Sequence, residues 1–339
     1  MIFNRPQMLI LSGIPGGGKT TEALRWIEEC KSVGIIAERI NYDDLRLEMF
    51  GPGWRWNRAD EAAMKARADL LARHALGRGN YVVIDNTNLT ERVRTHWENL
   101  GKGCGAEVVF QEIDTPIAEC KLRDSKREGS SRVGWAVIDW FALHRGFIDW
   151  ADKETYPRRF VIVDMDGTLS DCEWRREFLD KKVRHKAGCS LFGKELMEGS
   201  DFVEHNRCRD CLNKATKDWN GFFANVGKDP INKPVVELVQ LLYSTSYDLI
   251  VVSGRPIDKC GAATEAWLKE NLVSRGVNIR HLFMRQSGDG RTDVEVKQEI
   301  LDLLPLDRIA YSIDDRAVVC NEVWRKSGIC TLQVDRGDF

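Results

Sequence analysis

Gly13-Ile14-Pro15-Gly16-Gly17-Gly18-Lys19-Thr20 fits the pattern G-x-x-x-x-G-K-[ST]. It stands between an apolar run, Met8–Ser12, and a helical pattern, Thr20–Lys31. The glycines let backbone N–H groups turn inward around a phosphate. The helix that follows adds the positive end of its dipole. Gly13, Gly16 and Gly18 therefore form a candidate cradle for ATP. Lys19 reaches its β- and γ-phosphates, and Thr20 is a candidate Mg²⁺ ligand. Strand, loop and helix in this order predict an α/β unit with a parallel sheet.

Working outward, the next strand, Ala37–Asn41, runs into Tyr42-Asp43-Asp44-Leu45-Arg46. A carboxylate leaving that strand points to the edge of the sheet where the nucleotide lies. Asp43 is the candidate base that accepts a proton from an attacking hydroxyl, and one of Asp43 and Asp44 also suits a helix cap. Arg46, one turn on, suits an anionic group of the acceptor. Strand Tyr81–Asp85 leads into Asn86-Thr87-Asn88, which offers Asp85 as a Walker-B-type carboxylate and Asn86 and Asn88 as polar groups at the cleft. Arg123 and Arg127 stand at i, i+4 on a further helix, where a lid could carry them onto the transferring phosphoryl group; Arg127 is the preferred catalytic one. Gly51–Arg58 interleaves Trp54 and Trp56 with Arg55, which reads either as a stacking surface for bases or as packing beneath the lid.

A second α/β series begins after the polar stretch Asp149–Arg158, expected to be a linker. Strand Phe160–Asp164 ends in Asp164-Met165-Asp166-Gly167-Thr168. Two carboxylates at a strand end suit a nucleophile, Asp164, and a general acid/base, Asp166, with Mg²⁺ between them. Ser253 and Arg255, after another apolar strand, suit phosphate. Lys297, near the start of a helix, could neutralise a phosphoryl-aspartate. Asp314 and Asp315 end a strand and suit the metal. Together these pieces form a haloacid-dehalogenase-type phosphotransferase pattern. The fold class expected is therefore two tandem α/β domains: a P-loop kinase domain over 1–150 and a phosphatase domain over 158–339, with an insertion at 171–216.

Composition narrows the function classes. The 339 residues are 43% hydrophobic and 30% charged with a net charge of −2, which excludes a disordered, fibrous or bulk-basic nucleic-acid-binding chain. No apolar window is long enough for a membrane span, and the N-terminus reads as a buried strand, so the cytoplasm is the expected location. The ten cysteines read as reduced thiols. One exception is a C-x-x-C, Cys208 and Cys211, which with Cys189 and His185 or His205 is compatible with a Zn²⁺ knuckle inside the insertion.

The order of motifs (P-loop, DD-x-R, D-x-D-G-T, S-G-R, D-D-R), with Arg285, Asp293 and the ending Gly337-Asp338-Phe339, resembles the bacteriophage polynucleotide kinase-phosphatase family, which heals broken nucleic-acid ends. The resemblance implies an ATP-dependent 5′-kinase using Lys19, Thr20, Asp43, Arg46 and Arg127. It also implies a metal-dependent phosphatase for 3′-phosphate or 2′,3′-cyclic phosphate ends, using Asp164, Asp166, Ser253, Arg255, Lys297, Asp314 and Asp315, supported by Arg285. It further implies RNA or DNA ends as partners, a ligase acting afterwards, a homotetramer and a phage-infected bacterial host. Asn86 stands where the family has Asp, leaving Asp85 or Asn86 to serve the kinase pocket. Two other readings use the same motifs: a metabolic kinase-phosphatase for a small phosphorylated molecule, and a binding module for broken ends with a degenerate kinase half.

Overall fold

The computed structural model describes residues 5–179, 207–208, 213–214 and 217–336. The chain divides into two compact units, 1–147 and 148–339.

The first unit runs β1 (Gln7–Ser12), α1 (Lys19–Ser32), β2 (Ala37–Ile40), α2 (Tyr42–Phe50), α3 (Arg58–Gly77), β3 (Tyr81–Asp85), α4 (Glu91–Gly103), β4 (Glu107–Glu112), α5 (Ile117–Ser125) and α6 (Trp135–His144). Its sheet has the order β2-β3-β1-β4, with all pairs parallel. β1 reads as continuous apolar sequence because helices cover both its faces. Met8 and Ile10 pack with Met64, Ala68 and Ala72 of α3 and Trp97 of α4. Leu9 and Leu11 turn to the other face, against Ala23, Trp26 and Ile27 of α1. The helix α2 follows β2 directly, and its cap is neither Asp43 nor Asp44. Asn41 starts it, its side-chain oxygen accepting from the backbone N–H of Asp43 at 2.9 Å and of Asp44 at 3.1 Å.

The second unit runs β5 (Arg159–Val163), a 3₁₀ segment (Glu173–Phe178), the short antiparallel pair β6 (Arg207–Cys208) and β7 (Asn213–Lys214), α7 (Trp219–Ala224), α8 (Lys233–Ser244), β8 (Tyr247–Pro256), α9 (Ile257–Asn271), β9 (Ile279–Arg285), α10 (Asp293–Leu301), β10 (Ile309–Asp314), α11 (Ala317–Val319) and β11 (Cys330–Gln333). The last helix widens into a π-helical turn over Cys320–Arg325. The main sheet has the order β11-β10-β5-β8-β9, all parallel, with β5 at the centre.

The stretch 149–158 is not a free linker. Trp150 and Tyr156 pack against Phe160 and His281 with ring centroids 5.4–5.9 Å apart, and the Arg308 guanidinium donates to the carbonyls of Trp150, Tyr156 and Arg158. Aromatic burial outweighs the polar composition and makes this stretch part of the second unit. Among the described residues, no helix is long and apolar enough to cross a membrane.

Candidate active sites

Each site sits where its sheet reverses strand order. In such sheets the loops after the central strands open a crevice.

In the first unit, β1 lies between β3 and β4, and the Gly-rich loop follows it. Gly16 has φ +81°, and a Cβ there would lie 2.5 Å from the Cys120 carbonyl, so only glycine lets the loop pass this close to α5. Lys19 is buried and donates to the carbonyls of Gly13 and Ile14, each at 2.9 Å. Burial pulls its pKa down to about 8 against the opposing pull of Asp85, Cys120 and Asp43, while the positive charge of Arg127 adds to the drop. Lys19, Asp43, Asp85 and Arg127 therefore share one electrostatic neighbourhood. Thr20 is exposed at the mouth of the loop. Arg123 lies over the loop, donating to the Gly17 carbonyl at 3.2 Å, and Arg127 reaches the Ser131 carbonyl at 3.4 Å.

Asp43 is exposed at the start of α2, and Arg46 donates to it at 2.6 Å. The same guanidinium forks onto Glu61 at 3.1 and 3.0 Å and lies 5.9 Å from the ring centres of both Tyr42 and Trp54. Trp54 stacks on Phe50 and donates to Asp60, whereas Trp56 is 69% exposed. Asp85 is buried and paired with Arg39 at 2.5 Å. The Asn86 side-chain oxygen accepts from the Tyr42 N–H at 2.9 Å, and its amide nitrogen has no hydrogen-bond partner among the described residues. Asn88 differs from the expected cleft group. It is 2% exposed and donates to the carbonyls of Leu11 at 2.7 Å and Ile84 at 3.3 Å, tying the ends of β1 and β3 together.

A phosphate chain in this loop would restore the full charge of Lys19. Nucleotide binding here is accordingly expected to take up about half a proton at pH 8 and about a tenth at pH 7, given a free-state pKa of about 8. Calorimetry in two buffers of different ionisation enthalpy reads this directly. Uptake that persists in Lys19→Met would refute the assignment.

In the second unit, Asp164 follows the central strand β5. Carboxylate oxygens of Asp164, Asp314 and Asp315 lie within 4.8 Å of one another, all three residues buried. Lys297 Nζ sits 2.9 Å from Asp164, 2.9 Å from Asp314 and 3.4 Å from Asp293. Burial raises the Asp164 carboxyl well above its ordinary range, and Asp314 and Asp315 add to this against Lys297. Burial and Asp314 push Asp315 up to about 6. Three buried carboxylates with hard-oxygen donors this close together fit a divalent cation such as Mg²⁺, whose charge would relieve the crowding.

Asp166, expected to share the metal through its carboxylate, is held elsewhere. Its Oδ1 accepts from Arg255 at 2.5 and 3.0 Å and from Arg175 at 2.5 Å. Burial pushes its carboxyl up, but the two guanidinium groups outweigh this and keep it below the usual range. Arg175 and Asp229 were missed in the sequence. Arg175 is wholly buried and bridges Asp166 to Asp229, with bonds to Asp229 of 2.6 and 2.7 Å. Arg255 also reaches Asp229 at 3.0 Å. Ser253 is buried at the end of β8, beside the Arg255 N–H at 3.3 Å. Arg285 donates to the Gly254 carbonyl at 2.8 Å and faces Asp293 at 3.4 Å. A cavity of about 600 Å³ opens over Asp164, Asp166, Ser253 and Arg255. The zinc set of His185, Cys189, Cys208 and Cys211, with His205, lies outside the described side chains.

Residues 216–339 match the family model of the polynucleotide kinase PNKP phosphatase domain. Residues 8–146 match that of an AAA domain. Among solved structures, the chain is similar to one in a Pnkp1/Rnl/Hen1 RNA repair complex, at 22% identity over 99% of this chain and 98% of that one, with a TM-score of 0.36. It is also similar to Mycobacterium tuberculosis APS kinase CysC in complex with AMPPNP and APS, at 23% identity over 36% of this chain and 70% of that one, with a TM-score of 0.32. The PNKP phosphatase match covers α7 onward and takes in Ser253, Arg255, Lys297, Asp314 and Asp315. Asp164, Asp166 and Arg175 precede it and join the same site through the sheet.

Proposed function

We propose that the chain is a bifunctional nucleic-acid end-healing enzyme, adding phosphate to 5′-hydroxyl ends with ATP and removing it from 3′-phosphate ends before a ligase acts. The observation that carries this reading is the pairing, in one chain, of a P-loop unit with a unit that matches the phosphatase domain of a polynucleotide kinase. Opposite reactions on one position would only consume ATP. On different ends of a break they make it ligatable.

In the kinase site, the 5′-oxygen attacks the γ-phosphorus in line and the bond to ADP breaks. Lys19 and Arg127 hold the phosphate oxygens, and Asp43 accepts the proton. Arg46, beside Asp43, orients the acceptor end. In the phosphatase site, Asp164 attacks the 3′-phosphate and the P–O bond to the 3′-oxygen breaks. Asp166 takes the acid/base role: once the substrate's phosphate draws Arg255 away from its carboxylate it can hold a proton, which passes to that oxygen, and it then takes one from the water that hydrolyses the acyl phosphate. Lys297 and the Asp314–Asp315 pair hold the charge around Asp164. Mg²⁺ bound among the three carboxylates would supply electrostatic stabilisation of the phosphoryl oxygens.

The test is an oligonucleotide with 5′-hydroxyl and 3′-phosphate ends, with and without ATP, and both ends read. The 5′ end is expected to gain phosphate only with ATP, and the 3′ end to lose it without ATP. Asp43→Ala is expected to slow the 5′ reaction by about 10²-fold, as for a lost general base, and to leave the 3′ reaction unchanged. Equal activity on a free sugar or nucleoside would overturn the polynucleotide reading.

A further inference from the structure

One wall of the phosphatase cavity takes no part in the phosphoryl chemistry. It is built by Trp219, Phe223, Lys217 and Lys259, and it is continuous with Asp164 and Asp166 through the cavity. Trp219 and Phe223 stand four residues apart on α7 and present their rings on the same side. The rings stack with centroids 5.7 Å apart and planes 18° apart. Phe222, between them in sequence, turns inward, is 2% exposed and carries the Arg175 guanidinium 4.1 Å from its ring centre. Trp219, by contrast, is 42% exposed. Lys217 Nζ lies 5.4 Å from the Trp219 ring centre and Lys259 Nζ 5.9 Å from that of Phe223.

The wall is firmly seated. A Cβ at Gly221 would come within 2.6 Å of the Phe178 ring, so α7 packs closely on the segment behind it, and Asp218 caps its start, accepting from the Gly221 N–H at 3.1 Å. A rigid aromatic surface flanked by cations, opening onto a phosphate-processing centre, is complementary to a base with its neighbouring phosphodiester. Every base has a π-face, so such a surface is sequence-tolerant.

We propose that Trp219 and Phe223 form a nucleobase platform that takes the base of the 3′-terminal nucleotide, with Lys217 and Lys259 meeting the phosphodiester on its 5′ side. The platform makes the phosphatase selective for unpaired nucleic-acid 3′ ends over small phosphate esters. This rests on reading the second unit as a polynucleotide 3′-phosphatase.

The experiment compares phosphate release from a single-stranded oligonucleotide 3′-phosphate with release from the same oligonucleotide whose terminal nucleotide is abasic. Trp219→Ala is expected to raise KM for the first about tenfold, in the range of a lost base stack, and to leave the abasic substrate unchanged. Trp219→Tyr should restore most of the loss. An equal drop on both substrates, or no change on either, would overturn the platform. Wild-type protein that releases no phosphate from either substrate would instead overturn the underlying phosphatase reading.

Discussion

Asp164→Asn is expected to abolish phosphate release from 3′-phosphate ends, by at least about 10⁴-fold, while ATP-dependent labelling of 5′-hydroxyl ends continues unchanged. Lys19→Ala is expected to do the reverse. Each compact unit carries its own candidate groups: 1–147 holds Lys19, Asp43 and Arg127, and 148–339 holds Asp164, Asp166 and Lys297. The loss at Asp164 is chemical and not structural. Its ionised form is disfavoured in the folded protein by burial and by Asp314 and Asp315, so a neutral isostere removes repulsion. Lys297 keeps Asp314 at 2.9 Å and Asp293 at 3.4 Å. The urea midpoint of Asp164→Asn should therefore equal or exceed that of the wild type. Loss of both reactions in either variant would mean that the two sites are not independent. Retention of phosphate release in Asp164→Asn would remove it as nucleophile.

Central parallel strands are buried on both faces, so they appear as apolar runs, and their polar punctuation at the C-terminal end is the site itself. Lys19, Asp164 and Asp314 all come at the end of such a run or in the loop after it, whereas Asp43 follows the mixed edge strand β2. The strand β9 is hidden because Arg280 and His281 break its apolar pattern. His281 is nevertheless buried, with Tyr156 Oη 3.0 Å from its Nε2. The cap of α2 is hidden because Asn41 reads as the end of the strand before it, which leaves Asp43 and Asp44 as the apparent caps. Arg175 and Asp229 are 54 residues apart, and their pairing exists only in three dimensions. The local signal was an arginine pair, Arg175-Arg176, soon after D-x-D-G-T, and it looks no different from a solvated charge run.

That hidden pair gives the second large effect. Arg175→Ala is expected to cost about 3–5 kcal/mol of stability, because it leaves a buried carboxylate short of its partner. Among the described residues, Asp229 would keep Arg255 at 3.0 Å and the Trp174 N–H at 3.1 Å. Its carboxyl is already raised by burial, and loss of Arg175 raises it further. A carboxyl with a folded pKa above its unfolded value binds its proton more readily when folded. The variant's stability deficit should therefore shrink as pH falls from 8 to 5. Phosphate release should also fall, by about 10²-fold, because Asp166 loses one of the two guanidinium groups that aim it. The double substitution Arg175→Met with Asp229→Asn separates the two roles. It removes the buried charge pair together, so the urea midpoint should recover while phosphate release stays low. Recovery of both would make Arg175 a purely structural residue, and an unchanged midpoint in Arg175→Ala would mean that the Asp166–Arg175–Asp229 bridge does not hold this part of the fold.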